Sequence, residues 1–330
     1  MGLIAFIDRH RLAGFAAKAL QGTPVDDGFS SALRARQRRA ALCAMRHAAA
    51  TLRLIRLLNA HGIEAIPLKG ALLADHLFGD PSLRDIRDAD LLIRPRDLAQ
   101  ADQIMLDSGF QRVSPIRFPR PYSLAHRRLM EHGYHLEYTQ RTERVNVEIH
   151  WRFPHWSSAA IEAIWQSTES RIWRGTPVRM LANDSLLLLL LCDHGARHRW
   201  FLLKWLVDVA TLLPRIGDTG GLLRLARHLD VERPLGQAAA LCNRIFGTPV
   251  AGGLRLLSES PECRWLAAQA IESIQAPASG YFASGRSLRG KLRQKFYERR
   301  LRTRLGPWRL ASTLRDLMRP LLWLQKRLLA

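Results

Sequence analysis

The chain is 330 residues long, 47% apolar and 24% charged, which excludes a disordered or fibrous polymer and leaves room for two domains with buried cores. Its formal net charge of +21 comes overwhelmingly from arginine, which favours a polyanionic partner such as nucleotide, nucleic acid or anionic lipid, although an arginine-rich genome gives the same excess. Cys43, Cys192, Cys242 and Cys263 are far apart and form no C-x-x-C pair, which excludes a disulfide framework and a thiolate zinc site.

In chain order, Met1 to Gly14 interleaves Asp8, Arg9, His10 and Arg11 among apolar residues and lacks the apolar block of a signal peptide. Ser31 to Ala60 has no Gly or Pro and repeats apolar residues at helical spacing, so one long helix is predicted, ended by His61-Gly62. Ile63 to Leu68 reads as a short strand stopping at Lys69-Gly70, and Ala71 to Phe78 as a helix closed by Gly79-Asp80-Pro81. Ala89 to Ile93 is an apolar strand, and Arg96 to Ser108 returns to helical spacing. Gln111 to Arg128 carries Pro115, Pro119 and Pro121 and is expected to be a long surface excursion. His135 to Thr139 and Val145 to His150 alternate on either side of a polar turn, as a hairpin does.

From Asp184 the strand signals fade. Leu186 to Cys192, Phe201 to Leu213, Leu222 to Leu229 and Leu235 to Phe246 are predicted helices, and the longest apolar run is far short of the roughly 20 residues that span a bilayer. A cytoplasmic protein is expected. The expected organisation is an N-terminal helical region (1–60), an α/β core (61–183), a helical domain (184–283) and a basic C-terminal helical segment (284–330). In that last segment Leu314, Leu317, Leu321 and Leu328 recur among Arg315, Arg319 and Lys326. Packing of this segment against the helical domain is expected, with contact to an anionic membrane surface as the alternative.

Two aspartates two positions apart, Asp88 and Asp90, open the strand Ala89 to Ile93, so their side chains leave the same face. Like charges so placed repel unless a cation or a shared proton neutralises them, and Mg2+, with Mn2+ as its substitute, prefers such carboxylate oxygens. The bland alternative is that Asp88 caps a turn and Asp90 faces solvent. Glu148, between the apolar Val147 and Ile149, adds a third carboxylate, unless it points outward to Arg144 or Arg152. Lys69-Gly70 is a strand-to-helix turn able to cradle a triphosphate.

The residues then resemble a known family: the nucleotidyltransferase superfamily of the DNA polymerase β type, and within it a bacterial group of uncharacterised nucleotidyltransferases. Four blocks carry the likeness. They are Ile66-Pro67-Leu68-Lys69-Gly70-Ala71; Gly79 to Arg84 running into Asp88 to Leu92; Val147 to Arg152; and His194-Gly195-Ala196 with Leu203 to Asp208. The resemblance implies an α+β fold, a small mixed sheet flanked by helices and followed by an α-helical domain, with the third carboxylate two strands after the aspartates. It implies transfer of a nucleoside monophosphate from a nucleoside triphosphate, ATP among the choices, to a hydroxyl of an acceptor. On this reading Asp88, Asp90 and Glu148 are catalytic and hold the metal, while Lys69, Gly70, Arg84, His194, Lys204 and Asp208 bind the nucleotide.

Two departures stand out. The family turn is usually Gly-Ser or Gly-Gly where Lys69-Gly70 stands, and the third carboxylate is commonly Asp where Glu148 stands. The acceptor, a small molecule, sugar, peptide or protein, cannot be read, and nucleic acid is not favoured. A D-x-D glycosyltransferase holding a nucleotide sugar and a non-catalytic basic adaptor are the competing readings. A histidine site at His194 and His198, with His150 and His155, is the weaker metal alternative, and a Lys204 to Asp208 pair one helical turn apart is the alternative for those two residues.

Overall fold

A computed structural model describes residues 2–114, 118–153, 156, 158–276, 296, 297, 300 and 301. The C-terminal leucines and basic residues singled out above, from Leu314 onward, and His155 lie outside the described residues. Two short helices, α1 (Leu3–His10) and α2 (Ala13–Ala19), precede the long α3 (Asp27–Ala60). The Asp26 side chain caps α3 by accepting from the Phe29 N–H at 2.9 Å, and its Ala- and Leu-rich body runs without a break to His61.

The core follows as β1 (Ile66–Pro67), α4 (Gly70–Phe78), β2 (Ala89–Leu92), α5 (Leu98–Asp107), β3 (Gln111–Ser114), α6 (Leu124–His132), β4 (His135–Gln140), β5 (Val145–His150), α7 (Ser158–Gln166), β6 (Thr168–Trp173) and β7 (Thr176–Leu181). Five strands form one mixed sheet in the order β1-β2-β5-β4-β3, with β2 and β5 parallel and every other pair antiparallel. The expected surface excursion is therefore corrected at both ends. Gln111–Ser114 pairs along β4 as an edge strand, where exposed polar residues are tolerated, and Leu124–His132 is a helix capped by Ser123. Because β3 intervenes, the strand of Glu148 comes three strands after that of Asp90 and not two.

The remaining elements are helical: α8 (Asn183–Leu190), continuing as a π-helix over Leu191–Arg197, then α9 (Leu203–Leu212), α10 (Thr219–His228), α11 (Glu232–Phe246), α12 (Gly252–Ser258) and α13 (Pro261–Gln275). The molecule is α+β, as the sequence predicts. Among the described residues no helix is long and apolar enough to cross a membrane.

The two faces of the sheet differ. Ala89, Leu91, Ile93, Val145, Val147 and Ile149 point into an apolar cluster with Ala44, Leu54, Ile55 and Leu58 of α3 and with Leu98, Ala101 and Met105 of α5. The opposite face carries Asp90, Glu148 and His150, and on it Ile66, Leu68 and Leu92 meet the apolar cluster of the helical region. Strand alternation thus sends every charged side chain of β2 and β5 to one face, the face that the helices of 183–276 approach.

Candidate active site

The in-register pairing of β2 with β5 sets Asp90 opposite Glu148 and Leu92 opposite His150. Adjacent strands lie about 4.8 Å apart. Two carboxylates 58 positions apart in sequence, Asp90 and Glu148, are thereby held side by side on one face. In β4, Glu137 lies opposite Glu148 and His135 opposite His150, which extends the polar face by two further residues.

Asp90 is 2% exposed. Its Oδ1 lies 3.1 Å from the Lys69 ammonium and 3.1 Å from His150 Nε2, while Oδ2 is buried with no hydrogen-bond partner. The same His150 nitrogen is 3.1 Å from Glu148 Oε2. Glu148 therefore turns to His150 rather than to Arg144 or Arg152. Burial raises the Glu148 carboxyl, but the hydrogen bond and charge of His150, with Lys69 and His135 behind them, hold it down at about 2. Burial opposes a charge on His150, yet its bonds to Asp90 and Glu148 raise it above an ordinary histidine.

Lys69 comes from the turn between β1 and α4. Gly70 adopts a φ of +76°, and a Cβ there would sit 3.3 Å from the Asp88 carbonyl oxygen, so the turn closes against the aspartate strand only because the residue is glycine. The ammonium bridges Asp90 and, at 2.9 Å, Asp193 Oδ2. Burial disfavours its charge, but Asp193, Asp90, Asp88 and Glu148 together hold it well above the usual lysine range. The expected solvated or triphosphate-cradling lysine is thus, in this structure, the ion-pair partner of the carboxylates.

Arg84, Lys204 and Asp208 form a second group. The Arg84 guanidinium meets both oxygens of Asp208 at 2.9 to 3.0 Å, and both residues are buried. Lys204 donates to the Asp85 carbonyl at 2.8 Å, and Cys43 Sγ donates to the Ile86 carbonyl at 3.0 Å. The alternative Lys204 to Asp208 pair is corrected: the bidentate fork of Arg84 occupies Asp208, and Lys204 reaches the backbone instead. The loop 84–88 that delivers Asp88 is therefore tied to α9 and to α3. Burial, aided by the charges of Arg84 and Arg11, lowers Lys204 to about 7.

His194 lies in the π-helix and stacks on Trp205, with ring centroids 4.6 Å apart and planes 6° apart. His198 stacks on the same indole at 5.3 Å. Gly195 allows this packing, since a Cβ there would come within 2.7 Å of the Trp200 ring. Neither His194 nitrogen makes a hydrogen bond, although Nδ1 lies 3.6 Å from Asp193 Oδ2, and burial pushes its pKa well below that of free histidine. Among the described residues, the one group of three possible metal donors whose ligand atoms all lie within 4.8 Å of one another is His135, Glu148 and His150; neither the predicted set of Asp88, Asp90 and Glu148 nor His194 with His198 forms such a group.

Sequence reasoning missed His135 and Asp193, and gave His150 only to the weaker histidine alternative. His150 stands two positions after Glu148, so the alternation applied to the carboxylates also places it on their face. His135 follows from the hairpin register. Asp193 has no such signal, because its direction depends on the π-helical turn.

The donors fit a divalent cation. Asp90 Oδ2 is a buried carboxylate oxygen with nothing to accept from, and Glu148 lies beside it in register, which is the chemistry of a hard-cation site.

Residues 2–247 match the family model described as uncharacterised nucleotidyltransferase. Among solved structures the chain is similar to the antibiotic-resistance factor ANT(2'')-Ia, at 10% identity and a TM-score of 0.37, over 53% of this chain and 86% of that one. It is also similar to an antigenic nucleotidyltransferase-like protein from Paracoccidioides brasiliensis, at 17% identity and a TM-score of 0.36, over 58% of this chain and 91% of that one. No curated protein matches.

Proposed function

Because the chain belongs to the uncharacterised nucleotidyltransferase family, we propose that it moves a nucleoside monophosphate from a nucleoside triphosphate to a hydroxyl of an acceptor, at a divalent-metal site of Asp88, Asp90 and Glu148. The observation that carries this reading is the pairing of Asp90 with Glu148 on parallel strands, with the buried Asp90 Oδ2 left without a partner. Family membership also favours a triphosphate over the nucleotide sugar of a D-x-D glycosyltransferase.

Magnesium, when bound, would supply charge neutralisation to the phosphates. Everything else falls to the chain's own residues. The loop 84–88, fixed by Arg84, Lys204 and Cys43, holds Asp88 in place so that little ordering remains to be done when substrate arrives. Lys69 carries an ammonium ion-paired to Asp90, and it exchanges part of that pairing for phosphate oxygens. Glu148, ionised and partly open to solvent, orients the acceptor hydroxyl. The acceptor oxygen bonds the α-phosphorus as its hydroxyl proton is released to solvent past Glu148, the bond to the β-phosphate oxygen breaks, and pyrophosphate leaves.

The test is incubation of the full chain with each α-labelled triphosphate, Mg2+ and native cell extract. Label attached covalently to a discrete acceptor is expected, together with Mg2+-dependent thermal stabilisation by the same triphosphate. Absence of both for all four nucleotides would leave the basic-adaptor reading as the better one.

A further inference from the structure

The polar face of the sheet does not end at the carboxylates. In the row next to Asp90 and Glu148, the strand register places His150 beside His135, and their ring centroids are 5.2 Å apart. One nitrogen of each ring and a Glu148 oxygen lie within 4.8 Å of one another. His150 Nε2 is 3.1 Å from both Asp90 Oδ1 and Glu148 Oε2, and His135 Nε2 is 3.2 Å from Glu137 Oε1.

Hydrogen bonding leaves this arrangement incomplete. A single N–H of His150 is shared between two carboxylate oxygens at equal distance, and only one of them can accept it in good geometry. The Nδ1 atoms of both His150 and His135 are buried without a partner. A buried ring nitrogen without a hydrogen-bond partner on each imidazole is costly, and a metal ion can complete it by taking its electron pair. The 3.1 Å edge between His150 and Glu148 is also close to the roughly 3 Å separating neighbouring ligands around an ion with bonds of about 2.1 Å.

We propose that His135, Glu148 and His150 form a divalent transition-metal site that adjoins the Asp88 and Asp90 carboxylates and shares Glu148 with them. Imidazole donors suit first-row transition ions, whereas Mg2+ keeps to oxygen. The site therefore selects an ion of the Mn2+ or Zn2+ class at the position next to the acceptor side. Its part in nucleotidyl transfer rests on the reading above; its existence does not.

The probe is Mn2+ added to the full-length protein. Binding is followed by calorimetry and nitrogen ligation by pulsed electron paramagnetic resonance, in the wild type, in His135→Ala and in the Asp88→Asn/Asp90→Asn double variant. His135 is the preferred position because it is only partly buried and lies outside the Asp90 ion pair, so the variant should fold; circular dichroism confirms this. The expected wild-type result is nitrogen modulation on bound Mn2+ and binding tighter than that of Mg2+. His135→Ala should weaken Mn2+ binding at least about tenfold and reduce the nitrogen signal. Nitrogen modulation persisting in the Asp88→Asn/Asp90→Asn variant supports the histidine site even if the carboxylate reading fails. Mn2+ binding that depends on Asp88 and Asp90 but shows no nitrogen coupling overturns the proposal and leaves the transfer reading standing. A wild-type protein that binds no Mn2+ overturns it too.

Discussion

Arg84 and Asp90 stand six positions apart, and each enters a buried cluster of charge built on a different rule. Around Arg84 the charges are matched: one guanidinium meets one carboxylate through both oxygens, and the adjacent Lys204 donates to a backbone carbonyl. Around Asp90 they are not. Asp90, Glu148 and Asp193 crowd one lysine and one histidine, and one oxygen of Asp90 is left with no donor. The matched cluster neutralises its own carboxylate and fixes geometry. The mismatched one stores an unmet demand for positive charge, which a cation or a phosphate-bound cation can answer.

The largest effect that would break this contrast is on turnover. Asp90→Asn should lower nucleotidyl transfer by about 100-fold or more, a size typical of losing one electrostatic contact to the reacting group. It should also cost about 1 to 2 kcal/mol of stability, because Lys69 and His150 each lose a partner. Asp88→Asn should lose activity alike but keep stability, since removing one of several crowded carboxylates relieves repulsion. Label transfer and thermal melts read both effects, and activity above a tenth of wild type in both variants would sink the metal assignment.

Glu148→Gln comes next. It keeps the shape and removes the charge, so loss of turnover with triphosphate binding largely kept is expected, read as a fall in kcat with KM nearly unchanged. Unaltered turnover would move the third carboxylate to Glu137, which occupies the same row of the sheet on β4.

The matched cluster predicts the converse pattern. Asp208→Asn leaves a buried guanidinium unpaired and should cost about 3 to 5 kcal/mol. Replacing both partners, as in Arg84→Met/Asp208→Leu, should recover most of that stability, because an apolar pair of similar volume has no charge to desolvate. If the double variant melts near wild type yet has lost triphosphate binding, Arg84 touches substrate and the division between the two clusters is wrong.

How much of this was legible beforehand follows from the range of each signal. Asp88, Asp90 and Glu148 show as acids at alternate positions of apolar strands, a pattern of period two that needs no tertiary information, and the hairpin of β4 and β5 shows in the same way. The side of β2 on which β5 lies does not show, because a parallel pairing across 58 residues leaves no local trace. The same holds for the brace. Arg84 and Asp208 are 124 positions apart, and the sequence offers Lys204, four residues before Asp208, as the nearer partner. Lys69 reads as a lysine of a triphosphate-cradling turn, and nothing local announces that Asp193, on a π-helical turn, faces it. The hairpin of β6 and β7 went unread for a different cause. In β6 four consecutive residues, Glu169 to Ile172, are exposed, so no alternation shows there.

The smallest expected effect uses a third buried charge-bearing group as a reference for the other two. His10 ends α1, is fully buried, and accepts from the Leu203 N–H at the start of α9. Burial, with the charge of Arg9 beside it, lowers its pKa to about 4. The folded state therefore holds His10 neutral where the unfolded chain protonates it. Its contribution to stability is complete above about pH 6.5 and is lost as the pH falls towards 4, to the extent of about 1 to 2 kcal/mol. The carboxylates of the mismatched cluster behave differently, since Glu148, at about 2, gives up its stabilisation only below pH 4. Denaturant melts between pH 7 and pH 4 should thus show a decline that His10→Gln flattens in part, with His194, lowered by its own burial, supplying a share of the remainder. A His10→Gln protein whose stability still falls as steeply as wild type over that interval would mean that the link between α1 and α9 does not depend on a neutral imidazole. The acid sensitivity would then have to be traced to the other histidines lowered by burial, His194 first among them.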